Sequence, residues 1–246
     1  MNTCDPRAFD WALKTYWDYY IELEDELLRT RRYVAFSESN FNTYSIEFLK
    51  LYEAACSEVD VLLKVLAKRK DGSFDSGSST SIHKCWYVVQ DFYSYSHELR
   101  RTDVNGYPFF TSSLNDATVR AAETIVLRPW ENYSVEQYKD KRGNVRHRLK
   151  NGMNTPRWWS DYNKVKHSRV APLGSDQDDN FHRAKLGNVL YAFAGLYILE
   201  KALLRTIGSE NDHESFIDNS VLFTERDRAL TQRDIDGIVR RYRRRQ

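Results

Sequence analysis

Apolar residues recur at three- and four-residue steps along most of this chain, the spacing that places them on one face of an α-helix. Over 10–34, a run without Gly or Pro, the stripe is Leu13, Trp17, Tyr20, Glu24, Leu27, Arg31 and Val34. Asn40-Phe41-Asn42 breaks it. A second helix is predicted over 44–69, with Ile46, Leu49, Tyr52/Glu53, Cys56, Val59, Leu63 and Leu66 on its core face. The Gly/Ser/Asp-rich stretch 71–80 reads as a loop, and an aromatic third helix over 80–100 carries Trp86, Val89, Tyr93 and His97. A short helix over 157–169 follows Pro156, a residue suited to a first helical turn. Asp178, Asp179 or Asn180 can cap a last core helix over 180–206, whose stripe is Leu186, Val189/Leu190, Phe193, Leu196/Tyr197 and Leu203/Leu204.

Periodicity weakens between these helices. Residues 103–113 carry turn chemistry, 121–130 contain a short β-branched run stopped by Pro129, and 141–156 read as a basic loop. The expected architecture is an all-α bundle of four to five main helices, with a small irregular or β insertion around 103–150. The bundle is expected over 1–207 (insertion about 103–155). Residues 208–246 read as an acidic linker and an Arg-rich C-terminal helix or tail.

Composition narrows the class. With 41% hydrophobic and 29% charged residues the chain is too apolar for disorder and too polar for a membrane protein. No leader is evident in MNTCDPRAFDW, and Cys4, Cys56 and Cys85 form no CxxC, so a cytoplasmic protein with reduced thiols is expected. Cys56 and Cys85 fall on apolar faces, as buried thiols do. No metal or cofactor is expected, because His83, His97, His182 and His213 show no paired ligand spacing.

Charge alters the picture more than composition does. Residues 139–169 hold ten Lys/Arg against two Asp, and 226–246 hold eight Arg against three Asp, net +8 and +5 in a chain whose total is +2. Two basic segments on an acidic body point to a polyanionic partner.

The segment 157–169, RWWSDYNKVKHSR, lies inside the first of these. On a helical wheel Trp158, Tyr162, Val165 and the stem of Arg169 face the core. Asn163, Lys166 and His167 share about 100° of arc on another face, with Trp159 and Ser160 beside them. Asn163 and His167 are four apart and therefore neighbours. An imidazole can move a proton near neutral pH, while an amide and an ammonium stabilise charge growing on a phosphodiester. The competing account is an ordinary solvated face.

The YNxxKHxR pattern, followed by a longer helix starting at NFHRAKLGNVLYAFAGLY, resembles the HEPN superfamily of helical-bundle proteins. The resemblance covers about 44–206 and includes SEVDVLLK in the second helix. It implies a metal-independent endoribonuclease acting as a bacterial toxin or defence effector, working as a homodimer, with a cognate antitoxin or defence partner protein. Asn163 matches the family's polar position and His167 its histidine. The family's arginine position, directly before Asn163, is occupied by Tyr162. Lys166 and Arg169 are then the stand-in cations. The implied catalytic set is His167, Asn163, Lys166 and Arg169. Glu58 and Asp60 could orient His167 if the second helix packs against this one, although Asp60 paired with Lys64 four residues on is the favoured account. The alternative it leaves is a non-catalytic RNA- or protein-binding module. RNA contacts are expected from Arg142, Arg146, His147 and Arg148, from Trp159 as a stacking ring, and from the tail arginines Arg240, Arg241, Arg243, Arg244 and Arg245.

Overall fold

A computed structural model describes residues 6–75, 77, 80–94, 102–105, 124–170, 179–216 and 220–224. Most of these residues are helical, with small antiparallel sheets inserted. The chain opens as α1 (Pro6–Ala12), passes through a π-helical turn (Leu13–Trp17) and continues as α2 (Asp18–Arg29). Buried positions step by five from Ala12 to Trp17 and then by three to Tyr20. A turn holding one extra residue absorbs that irregular step.

Two long helices form the centre, α3 (Ile46–Lys70) and α6 (Leu186–Ile207). Ser45 caps α3 by accepting from the Phe48 N–H at 3.1 Å. Ile46 belongs to that exposed first turn and is 66% accessible, so the apolar stripe begins at Phe48 and Leu49 instead. α6 is buried on nearly every side, including Glu200 and Lys201, which is the burial expected of a helix apolar all round. It is long and apolar enough to cross a membrane by length and composition, yet 94% of its most apolar window is buried inside the fold.

α4 (Ile82–Ser94) packs on α3. The region expected to be irregular holds two separate pieces of sheet. β1 (Thr102–Asn105) pairs antiparallel with β2 (Thr124–Leu127) and with β5 (Phe223–Thr224), in the order β2-β1-β5. β3 (Val135–Lys139) and β4 (Val145–Leu149) form a hairpin with Val135 opposite Leu149. Within the basic run read as a loop, Val145–Leu149 is a strand, with exposed Arg146 and Arg148 alternating against half-buried His147 and Leu149. Its turn is built on Asp140, whose carboxylate accepts from the Arg142 and Asn144 N–H groups at 2.9 Å each, with Gly143 supplying a φ of 81°.

A buried glutamine joins the hairpin to the bundle. The Gln90 amide donates to Val135 O at 2.8 Å and accepts from Val135 N–H at 2.9 Å, as a neighbouring strand would. Tryptophans extend the join. Trp86 stacks on Trp130 at 4.6 Å, Trp130 meets Trp158 at 5.1 Å, and Trp158 donates to Pro129 O at 2.9 Å.

After α6, residues 208–216 and 220–224 pack back on the bundle. α7 (Glu210–Ser215) carries a capping box between Ser209 and Asp212. Val221, Leu222 and Phe223 are buried against the bundle. Glu24, in the apolar stripe of α2, explains the return. Its carboxylate accepts from the Val221 and Leu222 N–H groups at 2.6 and 3.1 Å and from the Ser220 hydroxyl at 2.8 Å. Cys4, His97 and the arginines at 240–245 lie outside the described residues.

Candidate functional site

α5 (Arg157–His167) carries the motif, and its placement starts from its buried face. Trp158, Tyr162 and Val165 are buried, as their spacing predicts. The Tyr52 hydroxyl of α3 donates to Trp158 O, and the Tyr52 and Tyr162 rings meet edge-on at 5.9 Å. On the α6 side a Cβ at Gly195 would come within 3.1 Å of the Trp158 ring, so glycine there lets the two helices close.

Trp159 departs from its expected place. It is 5% exposed and packed between Trp158 and Tyr162. The wheel sets Trp159 beside the polar face, but an indole is long enough to fold back under its own helix.

Asp161 escapes the sequence reading altogether. It is buried on α5 and accepts from the Arg183 guanidinium at 2.7 Å and from the Asn188 amide at 3.1 Å, with Arg157 and Lys164 at 3.8 and 3.9 Å. This carboxylate ties α5 to the start of α6. A signal for it exists: it is one of two acidic residues in a segment with ten cations, and Asp140, the other, builds the hairpin turn. Both aspartates are structural.

Asn163 and His167 sit one turn apart on the outer side of α5, Asn163 half-buried and His167 exposed, with exposed Lys166 beside them. Among the described residues, neither the Asn163 amide nor the His167 ring has a hydrogen-bond partner. The Lys166 ammonium lies 5.6 Å from the Tyr162 ring centre. Burial, with the Cys56 thiol and the Glu53 and Asp60 carboxylates nearby, pushes the Tyr162 phenol up to about 12. The helix ends at His167 and the chain turns away at Ser168, where Asn180 donates to Ser168 O at 2.6 Å and Phe181 N–H to Arg169 O at 3.0 Å.

Arg169 is therefore outside the helix. Its stem does not line the core. Instead the guanidinium donates to Glu53 of α3 at 2.6 Å, so a cation expected to stand in for the family arginine is already held by a carboxylate. Of the two acids considered for orienting His167, Asp60 makes the helical pair expected for it. Asp60 accepts from Lys64 one turn on at 2.5 Å. Glu58 lies near Glu200, Tyr16 and Tyr19, and burial raises its carboxyl above the usual range.

The hairpin residues are presented differently from a loop. Arg146 and Arg148 alternate on β4, paired with Asp140 at 3.3 Å and Glu136 at 2.8 Å, and both are largely exposed. His147 points the other way, its ring 5.0 Å from Tyr87 of α4, and burial followed by the Lys84 charge lowers its pKa. The Arg142 guanidinium at the tip has no partner among the described residues. The thiols of Cys56 and Cys85 are buried, which raises both pKa values, that of Cys85 to about 11. Among the described residues no group of three His, Cys, Asp or Glu could hold a metal ion.

Between α3, the first turn of α4 and α5 lies a cleft of about 380 Å³, bordered by Asp60, Lys64, His83, Asn163 and Lys166 over a floor of Trp159 and Tyr162. His167 is not among its lining residues. His83 gives no sequence signal, since its partners come from distant segments. Its Nδ1 is hydrogen-bonded to the Tyr133 hydroxyl at 3.0 Å, and burial lowers its pKa. Comparison with protein-family models, curated proteins and solved structures finds no match.

Proposed function

We propose that this chain is a HEPN-like RNA-directed protein, acting as a cytoplasmic homodimer in bacterial defence or as a toxin, with α5 as its working face. The observation that carries the reading is the exposed outer arc of α5. Asn163, Lys166 and His167 occur within two turns there, and none is held in an ion pair among the described residues. In this reading His167 is the general acid or base, and Asn163 and Lys166 donate to the non-bridging oxygens of the scissile phosphate. The hairpin cations supply sequence-independent affinity.

Two observations favour a second reading, a binding module without cleavage. The family's arginine position holds Tyr162, which is buried, and Arg169 is taken by Glu53. Lys164, Lys166 and His167 also suit the last helical turn for a bland reason, since cations there are favoured by the helix dipole. One experiment separates the readings. Structured RNA is incubated in metal-free buffer with EDTA, with wild type and His167→Ala. Loss of one general acid or base costs about 10²–10⁴ in rate, so the variant of an exposed side chain should fold normally and lose measurable cleavage. Equal cleavage by both, or none by either, leaves the binding module.

A further inference from the structure

We propose that the cleft between α3, α4 and α5 is a phosphate subsite that holds a nucleotide beside the α5 face. The proposal rests on the RNA-directed reading for the identity of its ligand, and on the cleft itself for the chemistry. A volume of about 380 Å³ falls at the lower end of small-molecule sites and accommodates one nucleotide, not a helix or a peptide.

Three elements converge there. α5 supplies the Lys166 ammonium and the Asn163 amide, α3 supplies Lys64, and the first turn of α4 supplies His83. Among the described residues Lys166 has no carboxylate partner and Asn163 no hydrogen bond. Asp60 holds Lys64 at the wall and leaves an acceptor that suits a ribose hydroxyl or an exocyclic amine. A phosphate alone would gain nothing from that carboxylate, which is why the complementary ligand is a nucleotide.

The groups facing His83 decide its behaviour. Asp60 and Lys64 come from α3, Lys166 from α5, and Tyr133, bonded to Nδ1, and His147 from the hairpin side. Burial favours the neutral imidazole in the empty cleft. A bound phosphodiester reverses the balance, so binding should take up a proton at His83.

The test is calorimetric titration of the full chain with three probes: inorganic phosphate, uridine 5′-monophosphate and the dinucleotide UpU. Wild type is compared with His83→Gln and Lys64→Gln. UpU stays a monoanion between pH 6 and 8, so its own protonation does not enter. The nucleotide probes should bind more tightly than inorganic phosphate. Each substitution should weaken them about tenfold or more, the loss expected for one charge-assisted hydrogen bond. Wild-type affinity for UpU should rise from pH 8 to pH 6, and the rise should vanish in His83→Gln. Inorganic phosphate binding as tightly as the nucleotides would overturn the nucleotide assignment and give the subsite to free phosphate. No binding at millimolar concentration, or binding that both substitutions leave unchanged, overturns the subsite. RNA cleavage that survives His167→Ala overturns only the catalytic reading of α5 and leaves these titrations as they stand.

Discussion

Replacing Asp161 by alanine tests the claim that the motif helix is held in place by a buried carboxylate. Asp161 is 3% exposed, and in its absence Arg183 and Asn188 lose their common acceptor while Arg157 and Lys164 lose a nearby counter-charge. Breaking a buried pair by removing one partner costs about 3–5 kcal/mol. Arg183 retains 27% side-chain exposure and a bond to Asn180, so water recovers part of the loss. The expected destabilisation is about 2–4 kcal/mol, a large share of the ~5–15 kcal/mol that holds a typical domain together. Asp161→Asn preserves the shape and one acceptor for Arg183, but sets its amide N–H₂ against the Asn188 donor; about 1–2 kcal/mol is expected. Urea unfolding followed by tryptophan fluorescence reports the transition directly, because Trp158 and Trp159 adjoin the site. The midpoint should fall while the slope with urea stays constant. A double-mutant cycle with Arg183→Ala isolates the pair, for which a coupling of about 1–3 kcal/mol is expected. A loss below about 1 kcal/mol for Asp161→Ala, or no coupling in the cycle, would refute the argument.

Two further outcomes follow from other parts of the molecule. Glu200 is buried, among the described residues neither of its carboxylate oxygens has a hydrogen-bond partner, and burial, reinforced by Glu58, raises its pKa well above the ordinary carboxyl range. The folded state then binds the extra proton, so this group's stabilisation is complete below the unfolded carboxyl pKa and is lost as pH rises toward the folded one. Glu200→Gln should therefore gain thermal stability over wild type at pH 8, with the difference shrinking toward pH 4. A difference independent of pH would show that Glu200 is ionised in the fold. At the hairpin, Lys141→Ala with Arg142→Ala should reduce the salt slope of RNA binding by about 0.7 for each phosphate left without its cation, more than Arg146→Ala with Arg148→Ala does. Equal reductions from the two pairs would place the phosphate-binding cations on β4 as much as on its turn.

The helices are legible because the 3.6-residue stripe survives wherever one face is buried. The segments 44–69 and 157–169 lie within two residues of α3 and α5 at each end. The departures have identifiable physical reasons. The VRHRL strand announces itself weakly, since Val145 is exposed, His147 stands where a core residue would, and Leu149 alone of its apolar residues packs against the core. The return of 220–224 depends on a carboxylate 196 residues away, Glu24 bonding Ser220, and its own residues give no periodic signal. At the site, the wheel separates Tyr162 and Val165 from Asn163 and His167 correctly. It does not show that the helix stops at His167, so it groups Arg169 with the motif and not with Glu53. His83 is invisible for the opposite reason: its surroundings are assembled entirely by tertiary packing.

The formal charge of the 139–169 segment overstates what a polyanion would meet. Arg146, Arg148 and Arg169 are each paired with a carboxylate, and Arg157 and Lys164 flank Asp161. Among the described residues, Lys139, Lys141, Arg142, Lys150 and Lys166 have no ion pair, and four of these five surround the hairpin. Exposed pairs such as Arg148 with Glu136 are worth only about 0–1 kcal/mol, so a phosphate can displace the carboxylate, but the exchange returns no net charge gain. Charge that is free and charge that is bridged thus occupy different places. The free cations gather on the hairpin, where they can capture a strand without regard to sequence. α5 keeps one free ammonium, one amide and one imidazole, too few to bind a polyanion alone and enough to act on a phosphate delivered to them. Under the proposed RNA-directed reading, substitutions on the hairpin should alter RNA binding at every sequence, and substitutions on α5 should alter what happens after binding.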